Sequence, residues 1–352
     1  MSGQSTSVEN GVLSARRHRS VSPVAEDLTA KQRWTRRLLP PGILVICLVI
    51  PMLGPVIGSY TYWLQILTTV FMWVALASSW NIIGGFTGYV SLGHNVFMAI
   101  GGYLSAGIFV YYGVSPFITA IGAGLVCVAV GLVVGLIMLR TDGDAFIIAT
   151  IALLLIARIL FDNWTLLGGS NGLSLPLLSF ADPDLIPVPF YYAMLVCAVG
   201  AVLLGYWVRH SKFGLGLRAI AEDEVRAEVA GVNTRLLKVA AFGVSGFFTG
   251  IVGAMWGYSL SYVRPENFLT ITIAAQIVLM AVIGGKGTVL GPIVGAVLIV
   301  AFNEAAVSKF GSSELNLAVT GVFLVVALLF FPQGIVGTLR ERRRLPRALD
   351  WG

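Results

Sequence analysis

Apolar residues run along this chain in long blocks, near residues 42–58, 61–83, 89–112, 116–139, 145–167, 188–208, 239–262, 268–284, 289–305 and 315–332. The blocks are continuous rather than alternating, and several approach the ~20 residues that carry a helix through hydrocarbon. This predicts an all-α fold, a polytopic membrane helix bundle of about ten spans. One long segment breaks the pattern. Arg209–Lys238 reads RHSKFGLGLRAIAEDEVRAEVAGVNTRLLK and could not sit in hydrocarbon. Within it Leu217, Ile220, Ala221, Val225, Val229 and Val232 recur at three- and four-residue steps, with Glu222, Asp223, Glu224, Arg226 and Glu228 between them. That spacing predicts a short amphipathic helix outside the membrane. Such a helix suits docking on a cytosolic partner; an ordinary solvated loop is the plainer alternative.

Composition agrees with the class. Of 352 residues 57% are hydrophobic and only 11% charged, against about 25% charged in a soluble domain. The 41 glycines suit closely packed membrane helices. Cys47, Cys127 and Cys197 each lie in an apolar run without metal-ligand spacing, and read as small core residues.

Three regions follow. Residues 1–41 are Ser- and Arg-rich and read as a disordered basic cytosolic tail. A transit peptide is the alternative there, weakened by Glu9, Glu26 and Asp27, and no short apolar run suggests a cleavable signal. Residues 42–338 form the membrane domain, with 209–238 as its cytosolic loop, and residues 339–352 form a second basic tail. With the N-terminus inside, 20 of the 23 lysines and arginines fall on the inner side. Arg264 and Lys309 fall outside, and Arg158 lies within a span. The positive-inside rule therefore predicts an even number of spans with both termini cytosolic.

Chemistry-bearing constellations are sparse. AVIGGKGT (281–288) contains a Gly-Lys pair, but the position a phosphate loop needs as its first glycine is Met280. His18, His94 and His210 are scattered, so the reading is no enzyme, no cofactor and no metal. Three embedded features stand out. Gly84–Gly102 mixes glycines with Ser91, His94 and Asn95, and reads either as non-helical backbone lining a cavity or as close helix packing. Gly284–Gly295 is a similar element in the other half, and the pair suggests pseudo-symmetric halves with a pathway between them. Third, Arg158 and Asp162 stand at i and i+4 on one apolar helix, where they can neutralise each other and hold the fold. A flexible polar turn, LLGGSNGL (166–173), follows them on the outer side.

Four stretches resemble one family. They are GYVSLGHNVFMAIGGYLSA (88–106), LLGGSNGL (166–173), RAIAEDEVRAEVAGVNTRLLKVAAFGVSGFFTGIVGAM (218–255) and AVIGGKGTVLGPIVGA (281–296). In this order they resemble the M-type permease subunit of branched-chain amino acid ABC importers. The third stretch matches the cytosolic loop that docks on the ATPase, with Gly231 at the motif's glycine. The motif's Glu-Ala-Ala is replaced here by Val225-Arg226-Ala227. The resemblance implies an inner-membrane importer subunit without its own nucleotide site, working by alternating access. Its partners would be a second permease subunit, two ATP-binding cassette subunits and a soluble substrate-binding protein. Coupling to the ATPase would fall to Arg218, Glu222, Glu224, Arg226, Glu228 and Gly231. The translocation path would fall to Ser91, His94, Asn95, Gly169, Ser170 and Asn171. Two other readings stand beside it: a urea or short-amide permease of the same superfamily, and a secondary transporter or channel using Arg158 and Asp162 as an ion relay.

Overall fold

The computed structural model describes residues 41–52, 60–141, 143–176, 185–311 and parts of 319–341. Apart from their membrane-proximal ends, the expected tails at 1–41 and 339–352 lie outside the described residues, as does much of the tenth apolar block. The chain is a helix bundle. In order, α1 spans Pro41–Met52, α2 Tyr60–Ile83, α3 His94–Tyr112, α4 Pro116–Met138, α5 Gly143–Asn163 and α6 Pro187–His210. Two short helices follow, α7 Lys212–Glu222 and α8 Glu224–Val229. Then come α9 Thr234–Ser259, α10 Ile271–Gly285, α11 Gly291–Phe310 and α12 Gly334–Glu341. Among the described residues eight helices are long and apolar enough to cross a membrane, the one containing α10 starting at Pro265.

Proline at the first turn opens α4, α6 and α11, where its missing N–H would have had no helical partner. Gly113, with φ +68°, closes α3 in the left-handed conformation and bonds back to the Phe109 carbonyl. Outside the helices, β1 (Leu173–Ser174) pairs antiparallel with β2 (Tyr262–Val263), tying the turn after α5 to the loop after α9.

Burial separates inner from outer helices. In α2 and α9 67% of the span is buried, against 28% in α4 and α5. Glycine draws α9 against its neighbours. A Cβ on Gly101 of α3 would stand 2.0 Å from the Gly250 carbonyl oxygen, and one on Gly253 would stand 1.9 Å from that of Met98. On the other side of α9, a Cβ on Gly131 of α4 would lie 2.9 Å from the Cα of Gly243. Backbones meet directly at these crossings, which only small residues allow. For Gly101 and Gly102, close packing is thus the reading that holds.

The charged segment at 209–238 departs from the single amphipathic helix expected. Asp223 adopts extended backbone and its carboxylate caps the amide of Arg226 at 3.0 Å, which ends α7 and restarts the chain as α8. The restart changes the helical phase. Leu217, Ile220 and Ala227 are buried, whereas Val225 and Val229, expected on the apolar face, are 71% and 86% exposed.

Candidate functional site

The glycine-rich segment after α2 leaves the helix: residues 84–87 form turns and 88–93 run without regular structure before α3 begins at His94. Much of this stretch of non-helical backbone is buried, with Gly88 exposed, and several of its polar groups are met from inside the protein, as hydrocarbon demands. Trp80 Nε1 donates to the Ser91 carbonyl at 2.7 Å. The Leu92 amide donates to Thr150 Oγ1 at 3.1 Å, fastening the break to α5. Gly88, at φ +80°, provides the left-handed turn that brings the chain back.

The second glycine-rich element does the same between α10 and α11, and the two breaks touch. Asn81, near the end of α2, donates from Nδ2 to the Thr288 carbonyl at 2.9 Å and accepts from the Gly287 amide at 2.9 Å. One carboxamide thus binds both faces of a backbone turn across more than 200 residues of sequence. From the end of α6, Arg209 donates to the Gly287 carbonyl.

Of the expected path residues, the structure brings Ser91, His94 and Asn95 together at the start of α3, all buried. His94 Nε2 stands 2.9 Å from Ser245 Oγ on α9. Asn95 Nδ2 donates to the carbonyls of Phe268 and Thr270, at 2.9 and 3.0 Å. Among the described residues, His94 Nδ1 and Asn95 Oδ1 are buried without a hydrogen-bond partner. An unsatisfied buried polar atom is costly, so these two atoms mark a place where a polar guest would be welcome. The other three, Gly169, Ser170 and Asn171, sit apart on the turn after α5, with Gly169 buried and the other two exposed. Gly168, Gly169 and Gly172 all have positive φ there, and Tyr262 donates its hydroxyl to the Asn171 carbonyl.

Arg158 has more partners than its helix supplies. It lies 3.6 Å from Asp162, 3.6 Å from Glu266, and donates to the Leu269 carbonyl at 3.3 Å. The guanidinium therefore bridges α5 to the loop before α10, a structural tie rather than a lone ion pair.

The expected coupling residues divide. Arg218, Glu222, Arg226 and Glu228 are exposed, Arg226 pairing with Asp223 at 2.9 Å on the surface. Gly231 is exposed at φ +87°. Glu224 turns inward: its Oε1 lies 2.5 Å from Lys238 Nζ, and its Oε2 accepts the hydroxyl proton of Tyr89. Burial would raise the Glu224 carboxyl, but the hydrogen bonds from Lys238 and Tyr89 hold it below the usual carboxylate value. Among the described residues no three His, Cys, Asp or Glu side chains converge as a metal site would require.

Residues 62–328 match the family described as branched-chain amino acid transport system / permease component. The chain belongs to that family. It is 26% identical to the high-affinity branched-chain amino acid transport system permease protein LivM of Escherichia coli K12, over 96% of this chain and 82% of that one. It is 28% identical to LivM of Salmonella typhimurium, over 92% of this chain and 80% of the relative. The high-affinity branched-chain amino acid transport system permease protein LivH of Escherichia coli K12 is 24% identical over 74% of this chain and 90% of its own length. No solved structure matches the chain.

Several residues that organise this permease were not singled out from the sequence, namely Trp80, Asn81, Tyr89, Thr150, Arg209 and Ser245. Of these only Arg209, and beside them Lys238, carried a signal: each is a cation at the boundary between the charged segment and an apolar helix. The others are polar residues of ordinary kinds, and their roles arise from long-range contacts.

Proposed function

We propose that this chain is the M-type permease subunit of an ATP-driven importer that moves branched-chain, or closely similar apolar, amino acids across the inner membrane by alternating access. Family membership supports the permease role. The observation that carries the mechanism is the meeting of two helix breaks, where the buried Asn81 holds the Gly287–Thr288 turn beside the break that leads to the buried Ser91, His94 and Asn95. Around Ser91, His94 and Asn95 the irregular backbone offers weak, mixed hydrogen bonds, which suit a zwitterion that must be released again. A rearrangement of packed helices about such breaks would expose the site to one side and then the other.

In this reading the bundle has about ten spans with both termini cytosolic, and the exposed face of α7 and α8, with Val225, Val229 and Gly231 on it, rests on an ATPase. A second permease subunit completes the path, and a soluble binding protein delivers substrate to the outer turn at Gly169–Asn171. The test is reconstitution with co-encoded partner subunits, measuring ATP-dependent uptake of radiolabelled leucine and, separately, urea. Leucine uptake that requires ATP and the binding protein is expected. Uptake of urea alone would move the assignment to the amide permeases, and uptake independent of the ATPase would defeat it.

A further inference from the structure

Glu224 belongs to the cytosolic loop by sequence but not by surroundings. It opens α8, yet its carboxylate reaches Lys238 in the second turn of α9 and Tyr89 in the break between α2 and α3. The cluster is buried at Lys238 and Tyr89 and opens at Glu224, whose side chain is 29% exposed. Lys238 has only 4% of its side chain exposed, donates to Tyr89 Oη at 3.1 Å as well as to Glu224, and lies 4.5 Å from the centroid of the Tyr89 ring. Tyr89 in turn packs edge-on against Phe146 of α5 at 5.6 Å. Such a pair commits its elements to one relative position, because moving Glu224 away strands the desolvated Lys238 ammonium. The exposed Arg226–Asp223 pair a few residues away carries no such obligation.

What Tyr89 is attached to gives the cluster its consequence. Two residues beyond it the Ser91 carbonyl is held by Trp80, the next amide is held by Thr150, and α3 then opens with His94 and Asn95. A displacement of α8 therefore has a short, rigid route to the first turn of α3.

We propose that the Tyr89–Glu224–Lys238 cluster is the link that carries movement of the α7–α8 loop to the buried break, so that Glu224 acts as a positioning residue within the permease rather than as a contact on the ATPase. The inference rests on the importer reading above.

The test uses the complete complex in proteoliposomes and measures ATP hydrolysed per substrate imported. Three variants are compared: Tyr89→Phe, which keeps all the packing and loses one hydroxyl, Glu224→Gln, and the double replacement Glu224→Met with Lys238→Met, which fills the site with apolar atoms. A several-fold rise in ATP used per substrate is expected for all three, at wild-type ATPase turnover. If the cluster only holds the fold, the apolar double variant assembles and couples like wild type, and Tyr89→Phe leaves the ratio unchanged; either result overturns the proposal. Should Glu224→Gln fail to assemble, Tyr89→Phe decides alone. A wild-type complex whose ATPase ignores substrate and binding protein would defeat the importer reading instead, a result distinct from a coupled wild type with unaltered variants.

Discussion

Replacing Gly253 by alanine should destabilise the permease more than a single methyl group suggests. The added Cβ would stand 1.9 Å from the Met98 carbonyl oxygen, 2.7 Å from its carbon and 2.8 Å from its Cα. All three are backbone atoms of α3, so no side chain can swing away. Reaching even 3.0 Å, the closest approach such atoms tolerate, requires α3 and α9 to part by more than 1 Å. A radial gap of that size forfeits about a quarter to a half of the dispersion attraction along the crossing. Overpacking of this kind costs roughly 1–3 kcal/mol, with the upper end expected where only backbone can yield. Alanine's better helix propensity returns at most about 1 kcal/mol. The net expectation is a loss of about 2 kcal/mol. Gly122 on α4 is the control, since a Cβ there meets nothing within 4 Å, so Gly122→Ala should be neutral or slightly stabilising. Reversible unfolding of the purified subunit in mixed detergent–SDS micelles measures both. Equal stability of the two variants would refute the idea that the glycine crossing holds α3 to α9.

Three further expectations follow from the same contacts. Gly231→Trp and Gly231→Ala both force a side chain into φ +87°, at a cost of about 1–2 kcal/mol, but a Cβ there meets no atom within 4 Å and the position is exposed; both should assemble, with only the tryptophan variant losing substrate-stimulated uptake, and normal uptake in it would remove Gly231 from the docking surface. Arg158→Ala leaves Asp162, Glu266 and the Leu269 carbonyl without their shared donor and should lower the yield of complex, whereas Asn95→Leu should lower uptake per purified complex several-fold; the reverse pattern would exchange their roles. With Cys47, Cys127 and Cys197 removed, an impermeant thiol reagent applied to sealed right-side-out cells should label Ser179→Cys but not Ser20→Cys or Thr338→Cys; labelling at either end would overturn the cytosolic termini.

How far the sequence could be read depends on the range of the interaction involved. Hydrocarbon imposes its requirement residue by residue, so the blocks at 61–83, 116–139 and 188–208 coincide with α2, α4 and α6 to within about two residues. Helix breaks are nearly as local. Glycines such as Gly88 and Gly287 are placed by their own φ angles of +80° and +74°, which makes both interrupted elements visible in the chain. Phase within the charged segment was already less legible. The apolar spacing runs smoothly through Val225 and Val229, and one capping carboxylate, Asp223, rotates both of them into solvent. Least legible was which charge faces inward. Glu222, Glu224 and Glu228 are equivalent in sequence, one or two residues from an arginine or an aspartate, and nothing local separates them. Glu224 is chosen by Tyr89, 135 positions away, and by a lysine that α9 carries into the bundle. The same holds for Asn81 and its turn at Gly287. Contacts of this kind join the breaks to each other and to the charged loop, so the ties between these parts of the permease are the ones whose partners stand farthest apart in sequence.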